Sequence, residues 1–127
     1  MRIGEVSKKY TVSEDTLRYY EKAGIIPPVA RGADGRRNYS ETDCVWVELC
    51  KCMRGVGVPV ETIAAYVKSV SNGGDTMRER IVLYEEQRRL LLKQREEIDS
   101  RLQRLDRKLK FCYSKVETEQ ENNHENL

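Results

Sequence analysis

The sequence predicts a mainly α-helical fold, with four short helices, a small basic turn between the second and third, and one long C-terminal helix. Three observations predict it. Apolar residues recur at spacings of three and four, capping residues and glycines bracket the short segments, and neither Gly nor Pro occurs after Gly74. Charged residues make up 35% of the 127 residues and apolar ones 39%. Much of the chain must therefore lie on solvated surface, which disfavours a thick sandwich or barrel.

Ile3, Val6 and Tyr10 line one face of the first helix, and Val12 breaks the pattern. Ser13 followed by Glu14, Asp15 and Thr16 reads as an N-cap with acids in the first turn. Leu17 and Tyr20 carry the apolar face of this second helix to a stop at Gly24. Taken alone, the pair is an ordinary helical hairpin. Ile25-Ile26-Pro27-Pro28 ends the helix, and Asp34-Gly35 is a hairpin signal flanked by Arg31, Arg36, Arg37 and Tyr39. This is a small basic wing. Ser40 with Asp43 forms a capping-box variant, opening a third helix through Trp46, Leu49 and Met53 to Gly55 and Gly57. Pro59 starts a fourth through Ile63, Tyr66 and Val67, and Ser71-Asn72-Gly73-Gly74 is a linker.

Thr76-Met77-Arg78-Glu79 fits a capping box and opens the long helix. Alternating steps of three and four connect Ile81, Tyr84, Arg88, Leu91, Arg95, Ile98, Leu102, Leu105, Leu109, Cys112 and Val116. Nine of these eleven positions are apolar, too many for a solitary helix in water. A partner helix of similar length is needed, and the short N-terminal segments offer none, so the expectation is a homodimeric coiled coil. Arg88 and Arg95 would face their own copies in a parallel pair, so an antiparallel pair is expected, although arginine stems can also snorkel outward. The divisions are therefore 1–72 for the head, 76–116 for the dimerisation helix and 117–127 for an acidic tail expected to be unstructured.

The net charge of +2 conceals an uneven distribution. Residues 1–40 hold eight Lys/Arg against five Asp/Glu, and 76–116 hold twelve against seven, whereas the tail carries four glutamates and no cation. A basic body suits a polyanion, although solvated helix faces can show the same asymmetry. No apolar run is long enough for a signal peptide or membrane span, so a cytoplasmic location is expected, with Cys44, Cys50, Cys52 and Cys112 reduced. No CxxC occurs and the sole histidine, His124, lies in the tail. The usual zinc set and a Cys-His nucleophile are missing, so no catalytic residue, metal or cofactor is assigned, and a thiol-dependent enzyme is disfavoured.

Several local motifs resemble the MerR family of transcription regulators. They are Ile3-Gly4-Glu5-Val6-Ser7, Thr16-Leu17-Arg18-Tyr19-Tyr20-Glu21, Gly24-Ile25-Ile26-Pro27-Pro28 and Arg37-Asn38-Tyr39, and the likeness runs from residue 1 to about 116. The resemblance implies a winged helix-turn-helix head whose second helix enters the major groove of double-stranded DNA, with the wing on flanking backbone or minor groove. It carries Thr16, Arg18 and Tyr19 to the recognition helix, Arg36, Arg37 and Tyr39 to the wing, and Arg54 to a phosphate contact. Leu17 and Tyr20 are read as core. A homodimer would read a palindromic operator within a promoter. An effector would then make it bend and untwist the DNA so that RNA polymerase can engage.

Within that resemblance, metal-sensing and iron-sulfur branches need cysteine clusters after the dimerisation helix, and multidrug sensors need an added domain. The remaining likeness is to the branch answering aldehydes and other thiol-reactive electrophiles, carried by Lys51-Cys52-Met53-Arg54. Cys52 is the implied sensor, and Lys51 and Arg54 would favour its reactive thiolate. The alternative treats Cys52 as small apolar filler beside Val45, Leu49 and Val56, with a reversible small-molecule effector instead. Cys44 and Cys50 are read as packing residues and Cys112 as a seam residue. A coiled-coil scaffold protein is the rival from another class, but it leaves Arg18-Tyr19-Tyr20 unexplained. The seam is tested by Leu102→Glu, which should cost several kcal/mol of dimer stability and yield monomers in sedimentation at micromolar concentration; a monomeric unaltered protein there would refute the coiled coil.

Overall fold

A computed structural model describes residues 1–71, 73, 74 and 76–125; Asn72 of the expected linker and the last two tail residues, Asn126 and Leu127, lie outside the described residues. The elements are α1 (Ile3–Tyr10), α2 (Glu14–Lys22), α3 (Glu41–Gly55), α4 (Val60–Ser71) and α5 (Thr76–Glu125). Ser13 caps α2 by accepting the Thr16 N–H at 3.1 Å. At α3 the box is reciprocal: Ser40 Oγ accepts the Asp43 N–H at 3.1 Å, and Asp43 Oδ2 accepts the Ser40 N–H at 2.9 Å. These bonds satisfy N–H groups that a helix start leaves without internal partners.

The turn between α1 and α2 is made by Thr11 at φ 55° and ψ 50°. This left-handed conformation is costly for a β-branched residue, and packing on both sides must hold it. The chain divides into two units, Met1–Gln87 and Arg88–Leu127. In the first, one apolar cluster unites Val6 of α1, Leu17 of α2, Ile25 and Ile26 after it, Val47, Cys50 and Met53 of α3, Val58, and Ile63 of α4. All nine are nearly inaccessible to solvent.

The first turns of α5 also belong to this unit. Ser69 Oγ donates to the Glu79 carboxylate, Tyr66 Oη donates to the Thr76 carbonyl at 3.2 Å, and Arg80 Nε donates to Tyr66 Oη at 3.1 Å. Gln87 is buried and its Nε2 donates to the Val56 carbonyl at the end of α3, 2.8 Å away. Tyr84, expected on the dimer seam, packs half-buried against the cluster.

The second unit is the continuation of α5. Leu91, Ile98, Leu102, Leu105, Leu109 and Val116 are each about half exposed, Leu102 at 51%. Helix continues to Glu125, where the sequence reading expected an unstructured tail from residue 117. Nothing in that stretch breaks a helix, since it holds neither Gly nor Pro. The wing also differs in degree: it has a single antiparallel bridge, Arg31 to Arg37, and no strand occurs among the described residues. Among the described residues, no helix is long and apolar enough to cross a membrane.

Two substitutions test this packing in opposite directions. Leu17→Ala should cost about 2–5 kcal/mol by opening a cavity, whereas Thr11→Gly should gain up to about 1 kcal/mol by relieving the left-handed turn. Denaturant unfolding measures both, and a neutral Leu17→Ala would contradict the assigned core.

Candidate nucleic-acid interface

Helix α2 turns Leu17 and Tyr20 into the cluster, so Arg18 and Tyr19 must face outward, and Tyr19 is 49% exposed. The Arg18 guanidinium meets Asp15 Oδ1 at 2.9 Å within the helix. Thr16 is half-buried, and its hydroxyl accepts a bond from Ser13 Oγ at 2.7 Å. Arg18 and Tyr19 are therefore the most available of the residues expected on this helix.

The wing is a short hairpin loop. Gly32 N–H donates to the Arg36 carbonyl at 2.8 Å and Gly35 N–H to the Gly32 carbonyl at 3.0 Å. Gly35 takes φ 79°, which closes such a loop without a Cβ penalty. Arg31 donates to the Gly35 carbonyl at 2.9 Å. Two carboxylate–guanidinium pairs tie the wing to the rest of the head. Asp34 at the tip takes both terminal nitrogens of Arg2, at 3.2 and 2.6 Å, and the Arg36 N–H at 3.1 Å. The bonds from Arg2 and Arg36 hold the Asp34 carboxyl down at about 2. At the base, Arg37 Nε meets Glu21 Oε1 at 2.7 Å, both side chains being about one-fifth exposed.

The result is an open cleft of about 400 Å³ whose lining includes Arg2, Arg18, Arg31, Arg36 and Arg37 together with Glu14. Five arginines line this concavity, three of them paired with Asp34, Asp15 and Glu21, and planar guanidinium forks match phosphate oxygens. Of the residues named from sequence, Arg18, Arg36 and Arg37 converge here. Arg54 does not line the cleft; it is exposed near the end of α3 and one nitrogen donates to the Val58 carbonyl at 2.9 Å.

Tyr39 requires a correction. Expected as a wing contact, it is 2% exposed, and its buried hydroxyl has no hydrogen-bond partner. Its ring belongs to the cluster because the chain must re-enter the core before α3 begins at Glu41. Arg2, Glu21 and Asp34 were missed as members of this face. Their pairings join positions 32 and 16 residues apart, and no local periodicity reports such distant contacts.

The cysteines fall into two classes. Cys44 and Cys50 are buried, whereas Cys52 and Cys112 are exposed. Burial pushes the Cys50 thiol up to about 12, although Arg54 opposes the shift. Cys52 shares its face of α3 with exposed Val45 and Val56, so within this chain it does not fill the core. Lys51 and Arg54, expected to favour a Cys52 thiolate, donate instead to the Tyr10 and Val58 carbonyls.

Residues 1–70 match the family described as MerR HTH family regulatory protein. The HTH-type transcriptional regulator AdhR of Bacillus subtilis (strain 168) is 40% identical over 92 residues, which cover 72% of this chain and 66% of that protein. A putative MerR family transcriptional regulator from Listeria monocytogenes superposes with TM-score 0.68 at 35% identity, covering 86% of this chain and 83% of the other. HiNmlR, a MerR family regulator lacking the sensor domain and crystallised bound to promoter DNA, gives TM-score 0.63 at 31% identity, covering 92% of each chain.

The cysteine classes can be read chemically. A maleimide at neutral pH should label Cys52 well before Cys44 or Cys50, with the latter two reacting only in denaturant; peptide mass spectrometry reports the order, and early labelling of Cys50 would contradict its burial. Because the folded Cys50 thiol holds its proton more tightly than the unfolded one, its contribution to stability is complete below about pH 9 and is lost as pH rises towards 12. Cys50→Ala should flatten that part of the pH–stability curve.

Proposed function

The chain belongs to the MerR family of helix-turn-helix transcriptional regulators, and from that premise we propose a homodimeric, electrophile-responsive activator that distorts promoter DNA in the cytoplasm. The five-arginine cleft, with Arg18 in its lining and exposed Tyr19 next to it on α2, carries the DNA part of the reading. Guanidiniums and phenol hydroxyls on phosphate oxygens supply affinity and register, while base edges supply sequence. The likeness to HiNmlR, crystallised on promoter DNA, supports the same use here.

Dimerisation rests on the half-exposed stripe of Leu91, Ile98, Leu102, Leu105, Leu109 and Val116, with Ile81 before it and Cys112 within it. Leucines at this spacing need a facing helix, and a second copy supplies one. Two heads would then read a palindromic operator. Aligning the promoter elements for RNA polymerase costs on the order of a few kcal/mol of DNA deformation, which differential protein contacts must offset.

Cys52 is the proposed sensor, and its exposure carries that part. Addition of the thiol across an aldehyde carbonyl forms a new S–C bond and moves the proton to the carbonyl oxygen, with nothing released. The adduct would lie in the last turn of α3, and the carbonyl at that helix end is held by Gln87 of α5. A polar group added there biases this α3–α5 junction. AdhR, 40% identical over 72% of the chain, is in keeping with this branch. The reversible-effector reading treats Cys52 as a packing residue, and its exposure counts against that packing role.

Arg18→Ala should weaken operator binding by about 1–3 kcal/mol and flatten the salt dependence. Cys52→Ser should keep operator binding and dimerisation but lose induction by aldehydes in a promoter-reporter assay. Normal induction by the Cys52→Ser protein would sink the thiol switch and favour a reversible ligand.

A further inference from the structure

A carboxylate on a surface that meets phosphates should by simple Coulomb reasoning weaken DNA binding. Glu21 is such a group, in the last turn of the recognition helix, beside Arg37 of the cleft. Yet it is not a loose surface acid. Its side chain is 19% exposed and both oxygens are used: Oε1 accepts Arg37 Nε at 2.7 Å and Oε2 accepts the Val29 N–H at 2.9 Å. One carboxylate thus ties α2 to both chain segments that lead into and out of the wing.

The wing needs such a tie. It has one antiparallel bridge and a few loop bonds of its own, and an isolated hairpin of that size is not stable in water. At the tip the Arg2–Asp34 pair is about half exposed and so is screened by solvent. The base pair is shielded and charge-assisted, the stronger kind. Burial disfavours the charge on Glu21, but the bonds from Arg37 and Val29 outweigh it and hold the group below its usual pKa. Only one of the five guanidinium donors of Arg37 is taken by Glu21. The remaining four stay available, in an orientation the carboxylate sets.

We propose that Glu21 is a positioning residue for DNA binding, holding the wing and the Arg37 fork at a fixed angle to the recognition helix. This rests on reading the arginine cleft as the DNA interface. The positioning role and plain electrostatics differ in sign: without the negative charge, repulsion falls and binding should tighten, whereas without the tie the wing contacts should be lost.

The test compares the unaltered full-length chain with Glu21→Gln and Asp15→Asn on the promoter duplex upstream of its own gene. Affinity, hydroxyl-radical footprint and thermal midpoint are measured for each. Asp15→Asn is the control, because it removes a carboxylate paired with Arg18 that does not anchor the wing. Glu21→Gln keeps an oxygen for Val29 but loses the charge that holds Arg37. It should weaken binding about tenfold, the loss of one good contact. Protection should disappear at the flanks reached by the wing and persist over the recognition-helix site, while Asp15→Asn binds as tightly as the unaltered chain or more so. A Glu21→Gln protein that binds equally or more tightly with an unchanged footprint overturns the proposal. So does a uniform loss of protection that tracks a fallen thermal midpoint. Should Glu21→Gln fail to fold, Glu21→Asp, which keeps the charge and shortens the reach, carries the same comparison of flank and centre. If the unaltered chain does not bind the duplex, the interface reading itself falls and the proposal with it, a result distinct from either variant outcome.

Discussion

Everything in the first unit depends on one apolar cluster. Helices of eight, nine, fifteen and twelve residues are each too short to persist alone in water, because helix nucleation fixes several residues for the first hydrogen bond. They form because each turns a stripe into the same core, where Leu17, Val47, Met53 and Ile63 meet. That constraint decides what remains outside. Once Leu17 and Tyr20 are buried, a 3.6-residue period leaves Arg18 and Tyr19 on the opposite side, and the surface proposed to meet DNA is set by the core beneath it. The same cluster holds Thr11 in a conformation that its side chain disfavours.

The basic face is organised by acids. Asp34 and Glu21 each accept a guanidinium and a backbone N–H, so the wing is fixed in the free chain with little pairing of its own. An arginine-rich loop without such anchors would repel itself and sample many orientations, and ordering it on contact would cost entropy. Preorganisation of this kind favours binding by reducing that cost.

Exposure separates cysteines of equal intrinsic chemistry. Cys50 and Cys52 are two residues apart on α3, yet a helix turns them about 200° apart. One is 1% exposed and the other faces solvent. The buried thiol resists ionisation, and ionisation is what nucleophilic attack requires. The proposed sensing role of Cys52 therefore follows from its place on the helix as much as from its sulfur. In the second unit the leucines pose the complementary problem, an apolar face left about half exposed among the described residues.

Local elements are legible in the order of residues along the chain. Ser13 and Ser40 declare their helix starts through side-chain geometry, the three-and-four spacing marks the buried faces of α1, α2 and α4, and Asp34-Gly35 marks the wing turn, whereas α3 buries Cys44, Val47 and Cys50 beside Met53 with Trp46 and Leu49 only partly covered. These signals are legible because they act over a few residues. The sequence also identified the family, through motifs whose residues are adjacent in the chain, and three of the five arginines that converge on the cleft, Arg18, Arg36 and Arg37. Tertiary structure alone decided that Tyr39 is core rather than contact, that Lys51 and Arg54 bond backbone carbonyls, and that Glu21 and Asp34 anchor the wing. Each of those outcomes is a competition between partners distant in sequence for one side chain. Residue type states what a group can bond, and only the packed chain states which partner comes within reach.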